Sequence, residues 1–323
     1  MSADRSGPAR ASEGAGDLMG ERNGVPPDLR FPQLVFSGGG TRCFWHGGFA
    51  SVVAPAIHLR PKRIAAVSGG ALSASAFLGD VEAKLREVMG KALAERDANV
   101  SKDWNEVQKN GLTPHQEMYR EIVATVLDEE AVERIAAGPS FQVLLTHPPV
   151  DALPKLSTVP MMIAYQVDKA VRSSPHVVSS DMLGADEALV DARQAARDGK
   201  LVDLVCNAAV IPPVFNVQGW EGRPVVDGGM ANKAPMPDPD RGRTLVLLTR
   251  RFRSIPDDPR RLYVQPSDTV PADKIDFTSR AKIEATWKAG EADGRAFLAT
   301  YELEGDNEQR PADSPADASR GGQ

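Results

Sequence analysis

Short apolar runs alternate along the chain with longer segments whose apolar residues repeat at helical spacing. Runs that are hydrophobic on both faces are typical of buried parallel strands. They predict strands at Leu34–Phe36, Ile64–Val67, Met161–Val167 and Thr244–Leu248. Helical spacing predicts helices at Phe44–Ala54, Gly70–Phe77, Val81–Arg96, Glu117–Ala137, Asp186–Ala208 and Ser279–Leu303. Such alternation predicts an α/β fold, with a mainly parallel central sheet and helices on both faces.

Composition divides the chain into one domain and two tails. Residues 1–29 and 305–323 are rich in Gly, Ala, Pro and charge and lack hydrophobic periodicity, so we expect both to be disordered. The α/β domain is therefore predicted to span residues 30–304. One segment inside it, Val81–Arg96, has a single apolar face that suits packing on the core or a lid over a lipid site.

Charge and sequence features restrict the possible partners. A net charge of −6 argues against nucleic acid, and two cysteines are too few for a disulfide framework. The N-terminus lacks the apolar region of a secretory signal, and the most apolar stretch, Ile64–Gly79, is too short to span a membrane. The five histidines lack metal-ligand spacing, so we expect no metal and no cofactor. A cytoplasmic protein with peripheral membrane contact fits these features.

Three consecutive glycines stand between a predicted strand and a predicted helix in LVFSGGGTRCFWHGGF. A dinucleotide site would need a glycine at position 43, which is Cys43, and an acidic residue about 20 positions later. No Asp or Glu occurs between Asp28 and Asp80, and no Gly-Lys-Ser/Thr follows as in a phosphate-binding P-loop. A tight turn that needs glycine only for its geometry remains open.

A second strand-to-helix junction, IAAVSGGALSASAF, places Ser68 between a buried strand and a helix of small residues. This arrangement is typical of a nucleophile elbow, although Ala66 replaces the usual first glycine. An N-cap serine is the alternative. Further along, GRPVVDGGMANKAP contains a short strand that ends at Asp227, and an ordinary β-turn would explain this Asp-Gly-Gly equally well.

Together these pieces are more specific than any one of them. Gly-Gly-Gly-x-Arg, then x-x-Ser-x-Gly about 30 residues later, then Asp-Gly-Gly resemble the patatin-like phospholipases over Phe31 to Arg253. The segments NAAVIPPVF and RTLVLLTRRF resemble those that flank the Asp-Gly-Gly in that family. The resemblance implies a fold related to the α/β-hydrolases. This chain departs from the family pattern at Ala66 and at Cys43, where glycine usually follows the arginine.

The resemblance also implies roles for single residues. Ser68 would be the nucleophile and Asp227 its base, in a dyad without histidine. The backbone amides of Gly38, Gly39 and Gly40 would form the oxyanion hole, with Arg42 beside it. Gly70, Gly228 and Gly229 belong to the same motifs. We further expect the missing side chains of the glycine loop to make room for an acyl oxyanion.

The implied function is a lipid acyl hydrolase that acts on phospholipid or another lipid ester through an acyl-enzyme. The alternative is a catalytically weak lipid-binding or regulatory protein on the same fold. An arginine cluster suits a solvated surface or anionic lipid head groups. Its members are Arg250, Arg251, Arg253, Arg260 and Arg261. Head group, chain length and oligomeric state leave no trace in the sequence.

Overall fold

The computed structural model describes residues 30–94, 111–149, 174–176, 185–212, 214–274 and 279–308, with side chains as far as residue 300. The predicted arm 1–29, the predicted strand Met161–Val167 and the tail from residue 309 lie outside these ranges. Across the described part of the chain, no helix is both long enough and apolar enough to cross a membrane.

Among the described residues, eight strands form the sheet. They are β1 (Gln33–Phe36), β2 (Arg63–Val67), β3 (Ser140–His147), β4 (Asp186–Asp191), β5 (Gln218–Trp220), β6 (Arg223–Asp227), β7 (Thr244–Leu247) and β8 (Arg261–Val264). Their order is β5-β6-β3-β2-β1-β7-β8, with β4 paired to β3. The central pairs β3–β2, β2–β1, β1–β7 and β7–β8 are parallel.

Eight α-helices surround this sheet in the described part of the chain. They are α1 (Phe44–Ala56), α2 (Gly69–Gly79), α3 (Glu82–Ala94), α4 (Pro114–Val126), α5 (Glu129–Ala137), α6 (Ala192–Arg197), α7 (Leu201–Asn207) and α8 (Arg280–Glu308). Two 3₁₀ turns, Gly40–Cys43 and Gly228–Met230, begin beside strand ends. The mainly parallel sheet with helices around it confirms the predicted fold class. Helix α8 runs past residue 304, where we expected the domain to end.

The alternation of side chains along the central strands separates two apolar clusters. Leu34 and Phe36 of β1 belong to the larger core, to which every described helix contributes side chains. Val35, between them, points to the opposite face and packs with Ala234 and Phe252 from loops. Because both faces are covered, β1, β2 and β7 are apolar at every position after their first residue, which made these runs visible in the sequence.

The predicted helix Glu117–Ala137 is two helices. Helix α4 ends at Val126, and the Asp128 carboxylate accepts a hydrogen bond from the backbone N–H of Ala131, 2.9 Å away, as the N-cap of α5. Continuous apolar spacing concealed this break because the two helices present their apolar faces to the same core.

The predicted helix Asp186–Ala208 is wrong over its first six residues. Asp186–Asp191 forms β4 and pairs antiparallel with β3, a strand that hydrophobic periodicity did not reveal. Helices α6 and α7 follow, separated by Gly199 at φ +69°, a conformation that ends a helix. The charged side chains of β4 suit an exposed sheet edge, and tertiary pairing with β3 outweighs their weak preference for helix.

Candidate active site

The site lies where parallel strands end at one edge of the sheet. Strands β1, β2 and β7 run side by side in the same direction, so their carboxyl ends meet. Ser37 follows β1, Ser68 follows β2 and Thr249 lies two residues after β7. Open α/β sheets bind their ligands at this edge.

Ser68 occupies a strained turn between β2 and α2. Its backbone has φ 57° and ψ −139°, a conformation that side-chain-bearing residues rarely adopt. The turn is tight because α2 packs directly on the end of β1: a Cβ at Gly70 would lie 2.5 Å from the carbonyl oxygens of Phe36 and Ser37. Gly70 therefore allows the close approach that places Ser68 above the sheet edge, as the elbow interpretation predicts.

Strand pairing places Asp227 at the same point. Strand β2 ends at Val67, which pairs with Leu144 of β3, and the next residue, Leu145, pairs with Asp227 of β6. Leu145 also pairs with β4 on its other side, so β6 must lie on the edge that β2 occupies. Asp227 therefore takes the place along β3 that β2 leaves free at Ser68.

The two side chains are in direct contact. Ser68 Oγ donates a hydrogen bond to Asp227 Oδ2 over 2.7 Å, and the backbone N–H of Gly229 donates to Asp227 Oδ1 over 2.7 Å. Both side chains are buried, with Asp227 wholly inaccessible. A Cβ at Gly228 would lie 2.4 Å from the carbonyl oxygen of Leu144, so the turn after Asp227 also requires glycine. The carboxylate is thus fixed on both oxygens and directed at the serine hydroxyl.

The glycine loop is crowded by the protein itself. A Cβ at Gly39 would lie 2.3 Å from Thr249 Oγ1, and one at Gly40, whose φ is +59°, would lie 1.9 Å from the carbonyl oxygen of Lys274. At these two positions internal packing already requires glycine, so the missing side chains are not by themselves a sign of a bound oxyanion. Gly38 differs, since its Cβ would lie 3.1 Å from the Cβ of Ser68.

The amides of the loop are not equivalent. The N–H of Gly38 donates to the carbonyl oxygen of Lys233 over 2.9 Å, while Thr249 Oγ1 donates to the carbonyl oxygen of Gly38 over 2.7 Å. Within the described residues, the N–H groups of Gly39 and Gly40 donate to no acceptor. Arg42 is half-buried in the 3₁₀ turn that follows. Of the three amides predicted to bind the oxyanion, that of Gly38 already donates to an acceptor within the protein.

Lys233 is a residue of the site that the sequence did not single out. Its side chain is buried and reaches the Asp-Gly-Gly turn, where a Cβ at Gly229 would lie 3.3 Å from Lys233 Nζ and 3.0 Å from Asp227 Oδ1. Its carbonyl oxygen also accepts the hydrogen bond from the N–H of Gly38. Lys233 therefore links the turn that carries Asp227 to the glycine loop and places a cation near the Asp227 carboxylate. In the sequence, only its position six residues after Asp227 indicated that Lys233 could belong to the site.

An apolar cavity opens beside Ser68. We call it the acyl pocket; its apolar lining includes Phe44, Leu72, Leu85, Met89, Ile211, Val214 and Phe215, and Lys274 lies on its wall. Leu85 and Met89 belong to the apolar face of α3, which both packs in the core and lines this cavity. The sequence left two roles open for that face, packing on the core and covering a lipid site. In one position of α3 the face does both, so neither role requires a moving lid.

Cys43, one of the two departures from the family pattern, also lines the acyl pocket. Its Sγ lies 3.6 Å from the carbonyl oxygen of Ser37. Burial raises the pKa of the Cys43 thiol far above its usual range, so the sulfur stays protonated. Cys43 therefore fills space beside Ser68 without becoming a second nucleophile.

His46 stands just after the glycine loop, yet its described contacts are with Leu247, Phe36 and Trp45. It is wholly buried in α1, where Nε2 donates to the carbonyl oxygen of Leu247 over 3.2 Å and the ring meets Phe36 edge-on. Burial lowers the pKa of His46 to about 3, so the imidazole is neutral near pH 7. It has the contacts of a core residue.

We expect His46→Gln to make the folded protein less sensitive to acid and to leave hydrolysis intact. The unfolded chain protonates His46 near its usual pKa of 6.5, whereas the folded protein resists until about 3, so stability falls as pH falls between these values. At about pH 5 this histidine should cost about 2 kcal/mol of unfolding free energy. Glutamine can still donate to Leu247, and urea unfolding at about pH 7 and about pH 5 measures the difference.

The exposed His58 supplies the control. His58→Asn, chosen because asparagine tolerates the φ of 49° at this position, should show the acid sensitivity of the wild type. A folded His46→Gln protein that lost all hydrolysis would contradict the histidine-free dyad.

A sequence model of the family described as patatin-like phospholipase matches residues 34–240. Among solved structures, that of VipD from Legionella pneumophila matches with a TM-score of 0.41 and 10% sequence identity, and the match covers 85% of this chain and 67% of VipD. No curated protein sequence matches the chain.

Proposed function

The chain belongs to the patatin-like phospholipase family, and on that premise we propose that it hydrolyses fatty acyl esters with Ser68 as nucleophile and Asp227 as general base. The observation that carries this proposal is the 2.7 Å hydrogen bond from Ser68 Oγ to Asp227 Oδ2 beside the acyl pocket. A nucleophile within hydrogen-bond reach of its base, with the base held by a third group, is the arrangement that nucleophilic catalysis needs. Gly229 N–H is that third group.

In the first half of the reaction, Ser68 Oγ attacks the carbonyl carbon of the ester while its proton moves to Asp227 Oδ2. The carbonyl oxygen becomes an oxyanion, which the N–H groups of Gly39 and Gly40 are free to bind. The N-terminus of α2, an 11-residue helix that starts at Gly69, adds a favourable dipole at the same place. When the tetrahedral intermediate collapses, the alcohol leaves with the proton from Asp227 and the acyl group remains on Ser68.

In the second half, water attacks the acyl-enzyme and gives a proton to Asp227. A second tetrahedral intermediate forms on the same oxyanion donors, and its collapse returns the proton to Ser68 Oγ and releases the fatty acid. A carboxylate is a weaker base than an imidazole, so this mechanism depends strongly on the loop amides. Arg42, in the turn after the loop, and Lys233, near Asp227, contribute positive charge around the site.

The acyl pocket supports a lipid ester as the substrate class. Its walls are apolar beside the nucleophile, so an acyl chain would gain about 0.8 kcal/mol for each methylene group that it buries there. The polar part of the substrate would then remain outside the pocket. Phospholipid and neutral lipid esters both satisfy this requirement.

Lipid substrates imply a reversible contact with a membrane surface, which we propose as part of this function. Several members of the arginine cluster are already engaged: Arg260 and Arg261 pair with Asp258, and Arg251 donates to the carbonyl oxygen of Ser267. We therefore attribute the membrane contact to the lipid substrate and not to the arginine cluster. Sedimentation with anionic vesicles should show binding to lipid that Arg260→Ser leaves unchanged. Loss of binding in that variant would assign the contact to the cluster instead.

Release of fatty acid from phospholipid in mixed micelles tests the proposed activity. Purified wild-type protein should release fatty acid and the lysolipid in equal amounts, in proportion to enzyme and time. A folded protein that binds the micelles without releasing either product would support the catalytically weak lipid-binding alternative.

A further inference from the structure

Burial singles out one pair of opposite charges in this protein. Among the described residues, Asp227 is the one buried Asp or Glu, and Lys233 is the one buried Lys or Arg. Asp227 is wholly inaccessible and Lys233 is 6% exposed. Charged side chains are almost never fully buried unless they are paired. The two charges are therefore expected to act on each other.

The two charged groups meet at Gly229. Asp227 Oδ1 and Lys233 Nζ lie 3.0 Å and 3.3 Å from the position that a Cβ of Gly229 would occupy. The N–H of Gly229 donates to the same carboxylate oxygen. The missing side chain of this glycine thus leaves room for the carboxylate and the ammonium to approach each other. At such a separation, each charge favours the ionised form of the other.

The backbone of Lys233 is held independently of its side chain. Its N–H donates to the carbonyl oxygen of Pro175 over 3.2 Å, and its carbonyl oxygen accepts the N–H of Gly38 over 2.9 Å. Both bonds remain possible with any side chain at position 233 other than proline. An unbranched apolar side chain would therefore remove the charge while these backbone contacts persist.

Several titratable groups around the pair supply no charge to it. Burial raises the pKa of Cys43, Tyr119 and Cys206, so all three stay protonated and neutral near pH 7. His147, on the neighbouring β3, bonds to a backbone carbonyl. His176, next to the residue that accepts the Lys233 N–H, has its pKa lowered by burial and is also neutral near pH 7.

Two further cations, Arg42 and Lys274, lie near enough to act on Cys43, as Lys233 and Asp227 also do. Both are half-buried, whereas Lys233 is buried. Water weakens the field of an accessible charge much more than that of a buried one. Lys233 is therefore the cation with the strongest expected effect on Asp227.

We propose that Lys233 keeps Asp227 ionised and so sets the lowest pH at which Asp227 can take the proton of Ser68. This inference rests on the proposed function, in which Asp227 is the base. It makes Lys233 a positioning residue, because the ammonium acts on the carboxylate and takes no part in the proton transfers. A buried carboxylate without this cation would bind a proton at higher pH, and a protonated carboxyl group cannot serve as the base.

The pH dependence of kcat/KM tests this proposal, since it reports the protonation of essential groups in the free enzyme. The assay follows a water-soluble p-nitrophenyl ester between about pH 5 and pH 9. In Lys233→Met, the acid limb of the profile should move to higher pH by about one to three units. Above that limb the rate should return to within about threefold of the wild type, because the carboxylate is then ionised again.

Two further variants separate charge from packing. Lys233→Arg keeps the charge and should keep the acid limb near that of the wild type. Lys62→Met makes the same change as Lys233→Met at an exposed lysine just before β2, at the sheet edge opposite the site. Its profile should match that of the wild type.

Melting temperatures test the pair without any need for turnover. At about pH 8, Lys233→Met should lower the melting temperature, because it leaves a buried carboxylate without its cation. Adding Asp227→Asn to Lys233→Met removes that carboxylate and should recover part of the loss. The comparison of both single variants and the double variant with the wild type measures the coupling between the two side chains.

The possible results are distinguishable. An unchanged acid limb in folded Lys233→Met, or a loss of rate by the same factor at every pH, would overturn the inference and leave the proposed function standing. Wild-type protein without hydrolysis would remove the proposed function and with it the role of Lys233 in catalysis. Additive melting temperatures would overturn the pair itself. If Lys233→Met does not fold, a folded double variant supports the pair, and an unfolded one overturns it.

Discussion

Replacing Ser68 with alanine is expected to abolish ester hydrolysis, with a fall of at least about 10³-fold in kcat, because among the described residues that line the acyl pocket Ser68 is the one whose hydroxyl donates to a carboxylate. Cys43 stays protonated by burial, and the hydroxyls of Ser73 and Thr41 donate to backbone carbonyls. The substitution keeps Cβ, so the strained turn at φ 57° is unchanged. Thermal unfolding and fatty-acid release on the same preparation measure both effects.

Ser75→Ala is the matched control for that variant. Ser75 is buried in α2, the helix that follows Ser68. Its hydroxyl donates to the carbonyl oxygen of Ala71 over 2.8 Å, away from the acyl pocket. This variant should hydrolyse esters at nearly the wild-type rate. Hydrolysis that persists in folded Ser68→Ala protein would remove Ser68 from the mechanism.

Replacing Asp227 with asparagine is expected to lower kcat by about 10²- to 10⁴-fold, the usual contribution of a general base. Asparagine preserves the shape of the side chain, and its carbonyl oxygen can still accept the N–H of Gly229. It cannot take the proton from Ser68 Oγ. We therefore expect a large loss in kcat with a small change in KM, measured by steady-state kinetics on a soluble ester.

Asp240→Asn controls for the loss of a carboxylate elsewhere. Asp240 accepts hydrogen bonds from Gln33, the first residue of β1, and from Arg261, so it lies at the sheet edge opposite the site. Its substitution should lower stability modestly and leave kcat unchanged. An Asp227→Asn protein that kept its kcat within about threefold of the wild type would exclude Asp227 as the base.

The sequence pointed to the two proposed reacting residues because each stands at the end of a recognisable strand. Val67 closes an apolar run before Ser68, and Val226 closes another before Asp227. The family resemblance then assigned their roles, and the register of β2 and β6 along β3 explains why strand ends so distant in sequence meet.

Other parts of the site depend on contacts between distant segments that leave no local pattern. Gly39 must be glycine because of Thr249, and Gly40 because of Lys274, each more than 200 residues away in sequence. The strand β4 escaped prediction for a related reason, since only its pairing with β3 makes Asp186–Asp191 extended.

Labelling with a fluorophosphonate shows whether Asp227 activates Ser68. The reagent phosphonylates only an activated serine, and peptide mass spectrometry locates the label. We expect one label for each chain, on Ser68, formed rapidly in the wild type and about 10²-fold or more slowly in folded Asp227→Asn protein. No label on folded wild-type protein, a label on another residue, or an equal rate in Asp227→Asn would contradict it.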